Sequence, residues 1–235
     1  MRAHPFRAFV ENPATQETDR SDKPAYVQNL TPSKTTVLKL RTSMLRSLKS
    51  VDDMAAAIFA RLDALGEGNT MIVFTSDNGF EWFEHRLHLK RFPYNESVRI
   101  PMFVSWPGHV PAGAVRDNIV GNIDVAPTIY DAAGITPTYT VDGRPMFSSA
   151  RDHILTEYWH ESFAGAPPTW RSTWTPESTY VEYPEIGVRE FYTGDDPWQL
   201  NNVFGNRIAG DEPQNVAEQS ATVSSDAACV GNTCP

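Results

Sequence analysis

The chain has 235 residues, with 20 Lys and Arg against 29 Asp and Glu, a formal charge of -9. That length suits one sizeable core, or a main domain with a small appendage. The acidic balance, without any Lys/Arg-rich block, argues against nucleic acid as a partner, and no apolar run reaches the length of a membrane span.

In chain order, residues 1–33 are polar and proline-bearing and read as an irregular lead-in. The opening "MRAHPFRAFVENPATQ" has no apolar core of the kind an export signal needs. From Lys34 to Leu65 the residues Val37, Leu40, Met44, Leu48, Val51, Met54, Ile58, Leu62 and Leu65 recur every three or four positions, which predicts a long amphipathic helix. "GEGN" at 66–69 supplies its C-cap and a turn. "TMIVFTS" then reads as a short buried strand, expected to be parallel, and "IPMFVSW" as a second one. A helix is expected over about Asp124 to Ala133. Strand and helix alternate, as in a layered α/β domain.

Past Asp142, "HILTEYW", "TWRSTWT", "TYVEY" and "REFYTG" are short aromatic or β-branched runs between turn residues, the pattern of an antiparallel sheet. "DDPWQLNNV" reads as a turn and a short helix. From Gly205 the chain is polar and rich in small residues, so a mobile tail is expected. Its end holds the only two cysteines, Cys229 and Cys234. They can form a disulfide, which lasts in an oxidising compartment, or stand as free thiols. Two thiolates without a nearby His are at most half of a zinc site.

The stretch between the first two strands carries Asp77, Asn78, His85 and Lys90. Asp77 and Asn78 directly follow a strand, at the carboxyl end where open α/β sheets place ligands. Their oxygens suit calcium or magnesium. The same Asp-Asn-Gly is also a good turn in its own right, and Lys90 by itself reads as a solvated cation.

Taken together, "FTSDNG", "EHRL", "KRFPYNESVRIPMFVSWPG", "NIDVAPTIYDAAGI" and "VDGRPM" resemble, in order and spacing, the C-terminal half of the sulfatase family's catalytic domain. The likeness runs with interruptions from "SDKPAY" to "REFYTGDDPWQLNNV". The closing C-x-G-x-x-C is similar to the tails of bacterial N-acetylglucosamine-6-sulfatase-like members. The resemblance implies an α/β fold: a partial alkaline-phosphatase-like α/β/α sandwich over 34–145, a small antiparallel subdomain over 146–204, and a tail over 205–235. It implies hydrolysis of sulfate esters of a sulfated sugar or aryl compound, with Ca2+ and a formylglycine nucleophile. By that resemblance Asp77 and Asn78 are metal ligands, Lys90 contacts sulfate, and His85 is a substrate contact or proton donor. Two departures stand out: Phe83 occupies the place of the Gly before Glu84, and the Gly expected before Lys90 is missing.

The family's C-x-P-S-R nucleophile motif and its early paired aspartates are absent from this sequence. "LTPSK" at 30–34 echoes the motif, but Leu30 cannot become formylglycine. Three accounts follow: a truncated chain, one half of a split enzyme completed by a separate N-terminal sulfatase half, or a non-catalytic remnant kept for binding. A phosphatase-like hydrolase of the same superfamily is a further alternative. Unpaired strand edges and exposed apolar faces are expected of the chain alone. Localisation stays open, since the cysteine pair points to a secreted or periplasmic site and the opening residues do not. Asn29 and Asn95 lie in N-x-Ser/Thr sequons that are expected to be unused.

Overall fold

The computed structural model describes residues 9–147, 150–163, 165–206, 208, 210 and 213–235. Helix α3 spans Lys34–Leu65, as its apolar period predicts. Ser33 Oγ accepts the Thr36 N–H at its start, and Gly66 closes it at φ 71°, a left-handed position that glycine takes without strain. Of the apolar row only Val37 is buried; Leu48, Met54 and Ile58 are half exposed. Amphipathic spacing forms the helix, yet most of its apolar face meets water.

Strand β1 (Ile72–Thr75) pairs with β4 (Met102–Ser105), with Phe74 opposite Phe103. The pairing is antiparallel, which corrects the expectation of a buried parallel strand. Between them the chain runs out through a small hairpin, β2 (Glu81–Trp82) with β3 (His88–Leu89), and back through the single turn α4 (Asn95–Val98). A return of that kind reverses direction, whereas a parallel pair needs a crossover. The burial expectation fails as well. With no third strand beside the pair among the described residues, Phe74 and Phe103 stay 47% and 65% exposed. Helix α5 (Val125–Ala133) follows a single 3-10 turn and ends at Gly134, φ 64°.

The four expected strands form one meander, β5 (Ile154–Tyr158), β6 (Trp170–Trp174), β7 (Ser178–Tyr183) and β8 (Val188–Thr193), each antiparallel to the next. Alternating aromatic and β-branched residues give it a closely packed core around Tyr180, Phe191, Val203 and Val223. The short helix expected within "DDPWQLNNV" does not form. Asp196 accepts the Leu200 and Asn201 N–H groups in a turn, and Gln199 at φ 50° leaves helical geometry.

Both ends of the chain are more ordered than their composition suggests. Within the lead-in, whose residues 1–8 lie outside the described part, α1 (Pro13–Gln16) starts from a capping box on Asn12, and α2 (Ala25–Asn29) follows. Buried Arg20 donates to the carbonyls of Val27, Leu30 and His85. Buried Lys23 reaches Glu17 (3.4 Å), Asp22 (3.1 Å) and the Leu200 carbonyl (3.1 Å). Asp22 in turn accepts the Asn202 N–H at 2.7 Å. These charges sew the lead-in between the loop that follows β1 and the C-terminal sheet.

The tail expectation also fails over its described part, residues 207, 209, 211 and 212 being outside it. Helix α6 (Val216–Asp226) buries Val223 in the core of the sheet. Cys229 and Cys234 form a disulfide with Cα atoms 5.0 Å apart. Its loop is held by the Gly231 N–H on Asp142 (2.6 Å) and by Arg144 on the Cys234 carbonyl (2.5 Å).

Candidate functional site

Asp77 and Asn78 sit at the carboxyl end of β1, where the strand stops and the chain turns away. The turn is locked locally: the Ser76 hydroxyl donates to the Asn78 carbonyl (3.0 Å), and the Asn78 N–H donates to Asp77 Oδ1 (3.0 Å). From the 3-10 turn that precedes α5, Asn122 Nδ2 donates to the carbonyls of Ser76 (3.0 Å) and Asp77 (3.1 Å). Gly79 is required next, because a Cβ there would lie 2.0 Å from the Glu96 carbonyl oxygen. Its N–H donates to Ser97 O at 2.9 Å, so backbone pinned to backbone fixes where Asp77 and Asn78 point.

Lys90 comes back over this turn. Its Nζ donates to Asn78 Oδ1 at 2.6 Å and stands 3.5 Å from Asp77 Oδ2. Desolvation, the largest single influence, raises the Asp77 carboxyl, but the Lys90 charge with the backbone N–H groups and the Ser76 hydroxyl together outweigh it and hold the group below the usual carboxylate range. Asp77 is therefore ionised at neutral pH, with its side chain 80% exposed. The three residues line a groove of about 1080 Å³ that Arg116, Thr156 and Trp174 also line. A cation between two oxygen donors, open to a groove, can receive a small anion with a charged head and a bulkier body.

His85 is placed apart from them. It is fully buried behind the loop, with Nδ1 2.8 Å from Glu17 Oε2 and its ring 4.5 Å from that of Tyr94, and it is not among the residues lining the groove. Asn122, Glu17 and Lys23 were not singled out by the sequence. Lys23 lies in "SDKPAY" and Asn122 opens "NIDVAPTIYDAAGI", two stretches of the resemblance, whereas Glu17 lies in neither.

The loop carries backbone strain at informative places. Phe83 (φ 90°), His85 (φ 49°), Arg86 (φ 53°), Leu89 (φ 76°) and Arg91 (φ 90°) all lie in the left-handed region. Phe83, which the resemblance sets in the place of a glycine, and Leu89, just before Lys90, both carry a conformation that costs a residue with a Cβ about 1–2 kcal/mol. Leu89 is 37% exposed, so its side chain also gives up burial when it is removed. Leu89→Gly is expected to set the relieved strain against the lost burial and the freer unfolded chain, for a net change within about 1 kcal/mol in urea denaturation. A larger loss of stability would show that the side chain contributes more than its backbone costs.

Asp77 and Asn78 fit a hard divalent cation in donor type. In number they fall short of the six to eight oxygens calcium takes. Among the described residues there is no group of three or more His, Cys, Asp and Glu side chains able to hold a metal ion.

Two family models match the chain: Sulfatase over residues 1–135, and the C-terminal part of N-sulphoglucosamine sulphohydrolase over residues 83–219. An N-acetylglucosamine-6-O-sulfatase of Bacteroides thetaiotaomicron is 30% identical over 186 residues, which are 68% of this chain and 31% of that protein. The chain thus spans about a third of that relative's length. Among solved structures, one of a protein in complex with its substrate D-glucosamine-2-N,6-O-disulfate matches with a TM-score of 0.65 and 26% identity, over 74% of this chain and 37% of that one. A phosphonate monoester hydrolase from Silicibacter pomeroyi shares the fold, with a TM-score of 0.66 at 22% identity over 89% of this chain and 44% of that one.

Proposed function

The chain belongs to the sulfatase family, and from that premise we propose that Asp77, Asn78 and Lys90 are one side of a site that hydrolyses the sulfate ester of a sulfated amino sugar. The observation that carries the reading is the contact of Lys90 Nζ with both Asn78 and Asp77 at the end of β1, open to the groove. In that site the Lys90 ammonium turns from Asn78 Oδ1 to a sulfate oxygen and offsets negative charge as the ester bond breaks. Asp77 and Asn78 contribute two oxygens towards the calcium ion that the family takes. When bound, that ion and the family's formylglycine supply Lewis acidity and the nucleophile. His85, buried behind the loop, has no part in substrate contact in this reading and acts through its hold on Glu17.

The half-exposed face of α3 and the uncovered faces of Phe74 and Phe103 support a second element of the proposal. They are the surfaces that the family's nucleophile segment with its paired aspartates, in the same or a separate polypeptide, would cover, bringing its groups opposite Lys90. On this account the chain alone binds calcium with a Kd weaker than about 1 mM, because two donors of six to eight remain. Titration calorimetry checks it. Micromolar calcium binding by the isolated chain would mean that a complete ligand set exists elsewhere in it.

The shared fold of the phosphonate monoester hydrolase keeps phosphate and phosphonate esters as the comparison substrates. Binding of a sulfated sugar to the groove without any turnover in a completed protein would favour a binding module instead.

A further inference from the structure

Behind the loop of Asp77, Asn78 and Lys90 lies a set of acids for which the proposed chemistry has no use. Glu81, on β2, is fully buried, and neither of its carboxylate oxygens has a hydrogen-bond partner. Glu96, on α4, has a buried Oε2 without one, and so does His85 at Nε2. His85 Nε2 faces Glu96 Oε2 at 3.9 Å, beyond hydrogen-bond reach. A buried ionised carboxylate without donors is costly, and two of them close together cannot both stay ionised cheaply.

The groups around this cluster come from three segments. From the lead-in, Glu17 Oε2 meets His85 Nδ1 at 2.8 Å, Lys23 stands 3.4 Å from the other Glu17 oxygen, and Arg20 donates to the His85 carbonyl. From the 3-10 turn between β2 and β3, Glu84 accepts from Asn12 and from the Trp82 N–H. Beyond α4, Arg99 adds a positive charge near Glu96. The local cations are thus engaged with Glu17, with carbonyls or from a distance, and Glu81 has none.

The cluster also holds the loop at both ends. The Glu96 and Ser97 carbonyls accept the N–H groups of Phe80 (2.6 Å) and Gly79 (2.9 Å), just after Asn78. Glu81 is paired in register with Leu89, just before Lys90. Any movement that hydrates Glu81 or Glu96 therefore moves the anchors of Asn78 and Lys90.

We propose that Glu81 and Glu96, packed beside His85, form a proton-holding clasp that keeps this loop closed in mildly acidic solution and lets it open as the two carboxyl groups ionise. The clasp stands whether or not the groove takes a sulfate ester, since it concerns the loop and not its ligand. Burial, and then Glu96 and Glu84, raise the Glu81 carboxyl well above its usual range. Burial is also the main cause that brings Glu96 from 4.5 to about 7, against the pull of its own backbone N–H and of Arg99. Groups raised on folding stabilise the folded loop fully below about pH 4.5, and that contribution declines as pH rises towards about 7 and beyond.

Thermal unfolding and amide hydrogen exchange of the whole chain between pH 5 and 8 test it. In the wild type the Tm is expected to fall by about 5 °C or more as pH rises. Exchange at residues 79–90, after division by the intrinsic chemical rates, should accelerate about tenfold relative to β6 and β7. The double variant Glu81→Gln, Glu96→Gln should lose most of both trends. A double variant with the wild-type slope would overturn the proposal. So would wild-type exchange at 79–90 that does not change relative to β6 and β7, a readout that decides even if the double variant fails to fold.

Discussion

Glu190→Leu is expected to destabilise the chain by about 3–6 kcal/mol, enough to unfold much of the C-terminal sheet at room temperature. Glu190 on β8 is fully buried, and its carboxylate accepts hydroxyl protons from Tyr94 (3.1 Å), Tyr183 (2.6 Å) and Tyr192. Each of those hydroxyls, left without an acceptor, costs about 1–3 kcal/mol, and leucine removes the acceptor from all three at once. Tyr183 alone has a second partner, the Tyr26 hydroxyl at 3.2 Å. Burial raises the Glu190 carboxyl, while the tyrosine hydroxyls and nearby Lys23 pull it back. Glu190→Gln keeps an acceptor oxygen and should cost about 1 kcal/mol. Urea denaturation followed by the fluorescence of Trp170, buried in the same sheet, measures both. Near-equal stability of Glu190→Leu and the wild type would mean that the tyrosines find other acceptors, and that the network does not join β8 to the loop of Tyr94.

The second large effect concerns chemistry. Once the site is completed by the family's nucleophile segment, Asp77→Ala and Lys90→Ala should each lower sulfate release by roughly 10²–10³-fold, the size of effect seen when one preorganised electrostatic partner is removed. Asp77 is exposed, so its loss should change stability by less than about 0.5 kcal/mol. Activity and stability are therefore expected to separate at Asp77. At Glu190 they fail together. An Asp77→Ala enzyme that turns over at the wild-type rate would remove Asp77 from the reaction.

The parts of this fold visible in the sequence are those that local pattern controls. The row from Val37 to Leu65 with Gly66 after it gives α3 its limits, and alternation with turn residues gives β5 to β8. What covers an element is not local. Nothing in the spacing of α3 says that Leu48 and Ile58 face water, and nothing in the four residues of β1 fixes their direction against β4. The lead-in looked shapeless because its order comes from single charged contacts across the chain, such as Asp22 on Asn202, which leave no period. The tail helix was missed for a similar reason, since only Val223 of α6 is buried.

The site divided in the same way. Asp77, Asn78 and Lys90 were legible through motif order, and the structure brings these three together. His85 belongs to the same motif, but its left-handed backbone and the burial of Glu17 beside it turn it inward. Nothing in the sequence singles out the acids Glu81 and Glu96. Only their enclosure without partners marks them out.

The central claim, that this chain supplies one side of a sulfate ester hydrolase site, is tested most directly by inorganic sulfate release from glucosamine 6-sulfate. The chain would be combined, in calcium, with a second polypeptide carrying the family's formylglycine and paired aspartates. The account predicts release that requires both polypeptides and falls at least about 100-fold with Asp77→Ala. A complex that forms and binds calcium yet releases no sulfate, or one indifferent to Asp77→Ala, would contradict it.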